Sequence, residues 1–261
     1  LLIQNQNQQI LIDIGRGTSL RLSQIGNDYS NINEIYISHF HFDHTIGLAD
    51  FWLTSNLWQK KFDTFVYGPT GVNAFCNNIM ETYSMDLKYR YKNKKYSKLV
   101  CSSFKNKKST YDDEKISIHS FENDHGHIDN SYGFKIEFKG KNIVYSGDTT
   151  ISENVINNAK GADILIHEIF ASSKKIIKNN KKLREVASTH TTIDQMISVL
   201  KQTNPKLTIL THALLFGVNE NDVLKVIKEN YNGNVVFAKD LMSIDIGKEI
   251  NIFNLDMMSE K

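Results

Sequence analysis

The residues best able to do chemistry fall in one run, His39-Phe40-His41-Phe42-Asp43-His44. Four side chains that can donate a lone pair to a cation follow directly on the apolar run Glu34–Ser38. At the two-residue period of a strand, His39 and His41 point to the same side, and Asp43 and His44 fall in the turn beyond. So short a segment cannot easily wrap all four donors around one ion, whereas two adjacent ions can share them. Packing does not account for the cluster, because each buried polar group would need a partner of its own. Imidazole and carboxylate suit zinc, with manganese or iron also within their range.

Further donors stand where other strand-like runs end. Asp148 follows Asn142–Ser146, in Ser146-Gly147-Asp148-Thr149; His167 and Glu168 follow Asp163–Ile166; His212 follows Leu207–Leu210; His125 and His127 follow Ile116–Phe121. In open α/β sheets ligands gather beyond the carboxyl ends of strands, so a search for donors and a search for strands converge on the same residues. No Ser or Cys stands out as a nucleophile.

The elements that must position these residues are short. β-branched runs predict strands at Ile10–Ile14, Thr64–Tyr67, Tyr132–Phe138 and Val235–Phe237 as well as those already named, with a further pair near Met242–Ile246 and Ile250–Phe253. Ile193, Met196, Ile197 and Leu200 repeat at helical spacing, with Thr191 or Thr192 as N-cap and Pro205 beyond the end. Val223, Leu224, Val226 and Ile227 form a second stripe capped by Asn219 or Asn221, and Val72, Phe75, Ile79 and Met80 a third. Strands first, then strands mixed with helices, predict a layered α/β or α+β domain.

Composition narrows the class. The chain has 261 residues, 40% hydrophobic and 23% charged, which are ordinary globular values and exclude disordered and fibrous classes. No apolar run approaches the roughly 20 residues of a membrane-spanning helix, so no membrane partner is expected. Only Cys76 and Cys101 carry thiols, which argues against a disulfide scaffold and for a reducing compartment. No basic segment followed by an apolar stretch opens the chain, so a cytoplasmic location is expected. The net charge of +2 hides two basic segments, Lys88–Lys108 and Lys174–Arg184, neither containing an acid. They read as solvated surface or as an attraction for a polyanion; residues 88–110, rich in Lys, Tyr, Ser and Asn, read as a loop or excursion from a single domain spanning 1–261.

Taken together, the His39–His44 run, a lone downstream His, the Gly147-Asp148-Thr149 turn and the final Thr211-His212 resemble the metallo-β-lactamase fold superfamily. The similarity covers nearly the whole chain. Asp13-Ile14-Gly15-Arg16-Gly17-Thr18, Tyr67-Gly68-Pro69-Thr70-Gly71, Ile166-His167-Glu168, His190-Thr191-Thr192 and Lys239-Asp240-Leu241-Met242 resemble its ribonuclease Z-like branch, especially phosphodiesterase and arylsulfatase-like members. Phe51-Trp52-Leu53-Thr54 and Met85-Asp86-Leu87-Lys88-Tyr89-Arg90 add to the arylsulfatase-like impression.

The resemblance implies an α+β fold, a four-layer αββα sandwich with two zinc ions at one edge. It implies that His39, His41 and His127 hold the first ion, that Asp43, His44 and His212 hold the second, and that Asp148 bridges them. His127 is chosen over His125 because it lies six residues before Gly133. Asp43 would also orient an attacking hydroxide between the ions, His190 would stand beside the substrate, and Glu168 would set its tautomer. The implied activity is hydrolysis of a phosphodiester, with sulfate-ester hydrolysis and tRNA 3′ processing as alternatives. Substrates would be a small anionic ester, a nucleotide or a nucleic acid, and a homodimer is expected. The chain departs from the family in two places: it lacks the Gly/Pro-rich opening, which implies a missing N-terminal strand, and only 20 positions separate His127 from Asp148, which leaves no room there for a long tRNA-grasping arm. Of the aromatics after the first motif, Phe51, Trp52, Trp58, Tyr83, Tyr89 and Tyr91 are candidates for lining a pocket, against the plainer reading of core.

Overall fold

A computed structural model describes residues 1–6, 8–92, 94–104 and 116–254. The chain divides into two compact units, Leu1–Tyr111 and Asp112–Lys261, and each builds one major sheet.

In the first unit, β1 (Leu2–Gln4) pairs antiparallel with β2 (Gln9–Ile12), and β3 (Ile32–Tyr36), β4 (Thr64–Gly68) and β5 (Leu99–Ser103) follow in parallel, in that spatial order. Parallel neighbours need crossovers. They contain α1 (Thr18–Gln24), α2 (Phe42–Thr45), α3 (Leu48–Leu57), α4 (Val72–Thr82) and α5 (Ser84–Tyr91). Leu11, Ile35 and Val66 from the strands and Ile37 just beyond β3 pack with Leu22, Phe51, Trp52 and Val72 from the helices. Phe51 and Trp52 are therefore core rather than pocket residues, and the Trp52 indole N–H donates to the Ser97 carbonyl at 2.8 Å. Tyr83 and Tyr91 line a cavity of about 300 Å³ with Leu53, Leu57 and Arg90, while Trp58 and Tyr89 are exposed.

Two expectations need correction here. The stretch 88–110 contains the end of α5 and all of β5; its positions 93 and 105–110 lie outside the described residues. Strand β5 was hidden by the Lys-rich flanks, yet Leu99 and Cys101 pack against the core. The two cysteines are also not free thiols: Cys76 on α4 and Cys101 on β5 form a disulfide, which removes the cysteine argument for a reducing compartment.

In the second unit the sheet order is β11-β10-β9-β8-β7-β6, built from β6 (Ser117–Glu122), β7 (Tyr132–Phe138), β8 (Lys141–Tyr145), β9 (Ile164–Ser172), β10 (Leu207–Phe216) and β11 (Val235–Phe237). The β6-β7-β8 meander is antiparallel, and β8 to β11 are parallel. The β7–β8 hairpin fills the interval before Asp148. Helices α6 (Glu153–Ala159), α7 (Lys174–Asn179), α8 (Lys181–Ala187), α9 (Ile193–Thr203) and α10 (Glu220–Asn230) complete the unit, with a separate hairpin of β12 (Ser243–Ile246) and β13 (Ile250–Phe253). Thr192 and Asn219 close capping boxes with Gln195 and Asp222, which satisfy the first backbone N–H groups of α9 and α10. The stripe Met196, Ile197, Val199 and Leu200 packs with Leu165, Ile169, Leu210 and Val223.

Strands β9 and β10 run well past their expected ends at Ile166 and Leu210, so His167, Glu168 and His212 lie within strands rather than beyond them. The polar residues interrupt the apolar pattern, but parallel pairing continues from Leu207↔Ile164 to Phe216↔Ser172 by inserting a bulge between Thr211 and Ala213. Among the described residues, no helix is long and apolar enough to cross a membrane.

Candidate functional site

The donors of the first unit are held by the loop that follows β2. The Asp13 carboxylate accepts the Ser38 N–H at 2.7 Å and the Ser38 hydroxyl at 2.9 Å, and lies 2.8 Å from His44 Nδ1. Ser38 Oγ in turn lies 3.0 Å from His39 Nδ1. With Ser38 donating to Asp13, both imidazoles carry their proton on Nδ1, which leaves the Nε2 lone pairs for a cation. Burial would raise the Asp13 carboxyl, but the hydrogen bond and charge of His44, the Ser38 N–H and His39 outweigh it and hold it below the usual carboxylate range.

The donor atoms converge. His39 Nε2 and His41 Nδ1 are 2.8 Å apart, the His39 ring is 4.2 Å from the His44 ring, and Asp43 Oδ2 is 3.9 Å from His44 Nε2. The backbone fixes the turn: Ile14 N–H donates to the His44 carbonyl, Gly47 N–H donates to the Ile14 carbonyl, and a Cβ on Gly15 would collide with the Asp43 carbonyl. Only glycine at position 15 lets the two loops approach so closely.

In the second unit Gly147 adopts φ 61°, and a Cβ there would strike the Tyr132 carbonyl. The turn presents Asp148, and Asn123 Nδ2 pins it by donating to the Ser146 and Asp148 carbonyls. Asp148 Oδ2 lies 3.5 Å from His212 Nε2. His212 occupies the β10 bulge with φ 42°, a left-handed conformation uncommon for a non-glycine residue. One ligand atom from each of Asp148, His190 and His212 falls within 4.8 Å of the others. The His190 ring stacks on His212 at 5.7 Å and meets His125 edge-on at 5.1 Å.

Glu168 organises this cluster from β9. Its Oε1 accepts the Thr191 N–H at 2.8 Å and the Thr149 N–H at 3.3 Å, and lies 3.2 Å from His190 Nδ1. Burial pushes its carboxyl up, against the opposing pull of His190. His125 Nδ1–H donates to the Thr189 carbonyl at 2.9 Å, which turns Nε2 toward the cluster; His125 and Asp148 offer ligand atoms within 4.8 Å of each other. Neighbouring His167 is buried, donates Nδ1–H to the Glu168 carbonyl, and is lowered by burial to about 4, so it is neutral in the fold.

The first unit thus brings together His39, His41, Asp43 and His44, and the second Asp148, Glu168, His190 and His212. His127 is the exception: it is exposed, while His125 two residues earlier is buried in the cluster. The tight turn His125–Ile128 directs His125 inward, which makes His125 rather than His127 the better-placed donor. Asp13, Ser38 and Asn123 were also missed. Asp13 carried a signal, a carboxylate directly after the buried run Ile10–Ile12.

Both clusters have the chemistry of metal sites. Their donors are imidazole and carboxylate, and in His39, His44, His125 and His190 a bond from the other ring nitrogen sets the tautomer, as metal-binding histidines require. Residues 1–213, which include every donor described, match the family described as anti-Pycsar protein Apyc1. The chain belongs to that family. It is also 23% identical to a ribonuclease Z of Mycolicibacterium gilvum over 94% of this chain and 88% of that protein. Among solved structures, the metallo-β-lactamase fold protein YhfI of Bacillus subtilis aligns with a TM-score of 0.67 at 18% identity, covering 92% of this chain and 88% of that one. The short form of human tRNase Z aligns with a TM-score of 0.65 at 22% identity, covering 92% of this chain and 89% of that one. The chain therefore has the metallo-β-lactamase fold, an α+β architecture, and is a ribonuclease Z-like, metal-dependent hydrolase.

Proposed function

We propose that the chain is a dinuclear zinc-dependent hydrolase of phosphodiester bonds. The observation that carries this reading is the set tautomers: in both donor clusters, hydrogen bonds from Asp13, Ser38 and the Thr189 carbonyl take up Nδ1 of His44, His39 and His125 and leave their Nε2 lone pairs for a ligand. The proposed metal ligands are His39, His41, Asp43 and His44 in the first unit and His125, Asp148 and His212 in the second. When bound, the ions would supply Lewis acidity, activating water and neutralising charge on the phosphoryl oxygens.

The remaining work falls to the protein. Asp43, half exposed and beside His44, orients the attacking water through its second oxygen. His190, held through Nδ1–H by Glu168, acts in its doubly protonated form: it gives its Nε2 proton to the leaving oxygen, and the Glu168 carboxylate offsets the imidazolium charge. Thr191 and Thr149 lock Glu168 in turn. A solved relative of the fold, yeast PDE1, aligns with a TM-score of 0.61 at 15% identity over 91% of this chain and 90% of that one, which supports the compatibility of the fold with this reading.

The test is turnover of bis-p-nitrophenyl phosphate by protein reconstituted with zinc or manganese. Turnover lost on chelation and restored by metal supports the proposal. No turnover of that ester beside clear turnover of p-nitrophenyl sulfate would replace it with sulfate-ester hydrolysis. Cleavage of a precursor tRNA 3′ trailer, with binding that weakens steeply as salt rises, would favour the activity named in the ribonuclease Z relatives.

A further inference from the structure

Arg16 stands on the loop that carries Asp13. It follows Gly15, whose backbone abuts the Asp43 carbonyl, and precedes Gly17, whose carbonyl starts α1 by accepting the Arg21 N–H. Thr18 Oγ closes the loop by donating to the Gly15 carbonyl at 2.9 Å. A side chain on this loop is therefore fixed one residue from the metal-binding turn. The Arg16 guanidinium lies 5.8 Å from the centroid of the Phe42 ring. Phe42 sits between His41 and Asp43, yet its side chain is 62% exposed.

The exposed Phe42 ring lies under the Arg16 guanidinium within cation–π reach, which restrains the arginine beside the donor motif. Among the described residues no carboxylate forms an ion pair with Arg16, whereas Arg90 is taken by Asp86. The guanidinium fork keeps its donors for a planar or tetrahedral oxyanion, which it binds through two parallel hydrogen bonds.

We propose that Arg16 is a substrate-binding, specificity-determining residue that grips the phosphodiester anion, with Phe42 as the platform that holds it. The idea rests on the hydrolytic reading above and deepens it by selecting anionic phosphate esters over neutral esters and lactones. Arg16 touches the unattacked part of the phosphate, so it contributes to binding more than to the chemical step.

The test compares wild type, Arg16→Ala, Arg16→Lys, Phe42→Leu and the control Arg21→Ala, whose side chain bonds Gln24 on the exposed face of α1. For bis-p-nitrophenyl phosphate, Arg16→Ala is expected to raise KM about tenfold or more with kcat within about threefold. Arg16→Lys should recover part of the loss, because it keeps charge but not the fork. Phe42→Leu should give a smaller rise, and Arg21→Ala none. A second readout needs no turnover: phosphorus NMR titration of inorganic phosphate into the full chain, before and after chelation, should show weaker binding in Arg16→Ala under both conditions. If wild type hydrolyses the phosphodiester but Arg16→Ala matches it in KM and in phosphate titration, the assignment of Arg16 is overturned. If wild type hydrolyses no phosphodiester, the hydrolytic reading falls, and the phosphate titration alone decides whether Arg16 binds the anion.

Discussion

His44 Nδ1 lies 2.8 Å from Asp13 Oδ2, so a residue 31 positions earlier in the chain fixes the imidazole that closes the donor run. The parallel pairing of β2 and β3 produces this meeting: Ile12 stands beside Tyr36, and the residues just beyond these strand ends, Asp13 and Ser38, fall together. Asp13→Asn keeps the shape but places an amide N–H where the carboxylate accepted one, which drives His44 toward the opposite tautomer. Zinc affinity should fall about 10- to 100-fold, read by competition with a chelating dye, while the circular dichroism spectrum stays that of wild type. Unchanged zinc affinity would show that Asp13 does not orient His44 for metal.

His125 and His127 differ by two positions and by their surroundings. Replacing His127 with Ala removes an exposed side chain and should leave turnover and metal content within about twofold, since surface changes away from special features cost little. His125→Ala removes a buried donor held by Thr189 and should lower both metal stoichiometry and turnover, the latter by about 100-fold or more. Elemental analysis of the two variants decides between them, and the reverse pattern would restore His127 as the ligand.

Cys76 and Cys101 close a loop of 25 positions between α4 and β5. Cross-linking such a loop stabilises the fold by about 3 kcal/mol through the unfolded state. Urea unfolding of oxidised protein, of reduced protein and of Cys76→Ser should differ by about that amount. Thiol titration of the unfolded, unreduced chain should find no reactive thiol; two would show that the bond does not form.

His167 makes stability depend on pH in a definite direction. The unfolded chain takes up the imidazole proton near the ordinary value of 6.5, the folded chain only near 4. Between these values the unfolded state holds more protons, so stability is complete above about 6.5 and is lost as the pH falls toward 4. The full loss is about 3 kcal/mol. His167→Asn retains an N–H for the Glu168 carbonyl and cannot titrate. Its unfolding free energy should therefore decline less than that of wild type between pH 7 and 4.5. Parallel declines would mean that His167 is protonated in the fold or shielded less than its burial indicates.

What the sequence made legible was what is local. Four donors in six residues need no partner elsewhere to be noticed, and the capping residues Thr192 and Asn219 act on N–H groups three positions away. What stayed hidden depends on pairing between distant segments. His125 is distinguished from His127 by Thr189, over 60 positions on. The disulfide needs α4 to pack beside β5. The continuation of β10 through His212 needs β9 as its parallel neighbour and a bulge that no apolar pattern announces. Glu168 and His190, by contrast, were paired only through resemblance, and their contact is now a distance of 3.2 Å.

That contact supports a last prediction, because two residues acting as a unit fail to add. Glu168 accepts from His190 Nδ1, Thr191 N–H and Thr149 N–H with the same oxygen. Glu168→Gln keeps an oxygen for the backbone donors but weakens the charge that holds His190 in its tautomer. Turnover of bis-p-nitrophenyl phosphate should fall about 10- to 100-fold, with KM little changed, since a group that protonates the leaving oxygen acts in the transition state. His190→Ala should cost more, on the order of 100- to 10,000-fold. The double variant should match His190→Ala alone, because once the imidazole is gone Glu168 has nothing left to position. A leaving group of low pKa gains less from a proton than one of high pKa, so replacing p-nitrophenol by a poorer leaving group should widen the gap between wild type and His190→Ala further. If the two losses multiply, and the gap ignores the leaving group, Glu168 is a structural carboxylate and the proton comes from elsewhere.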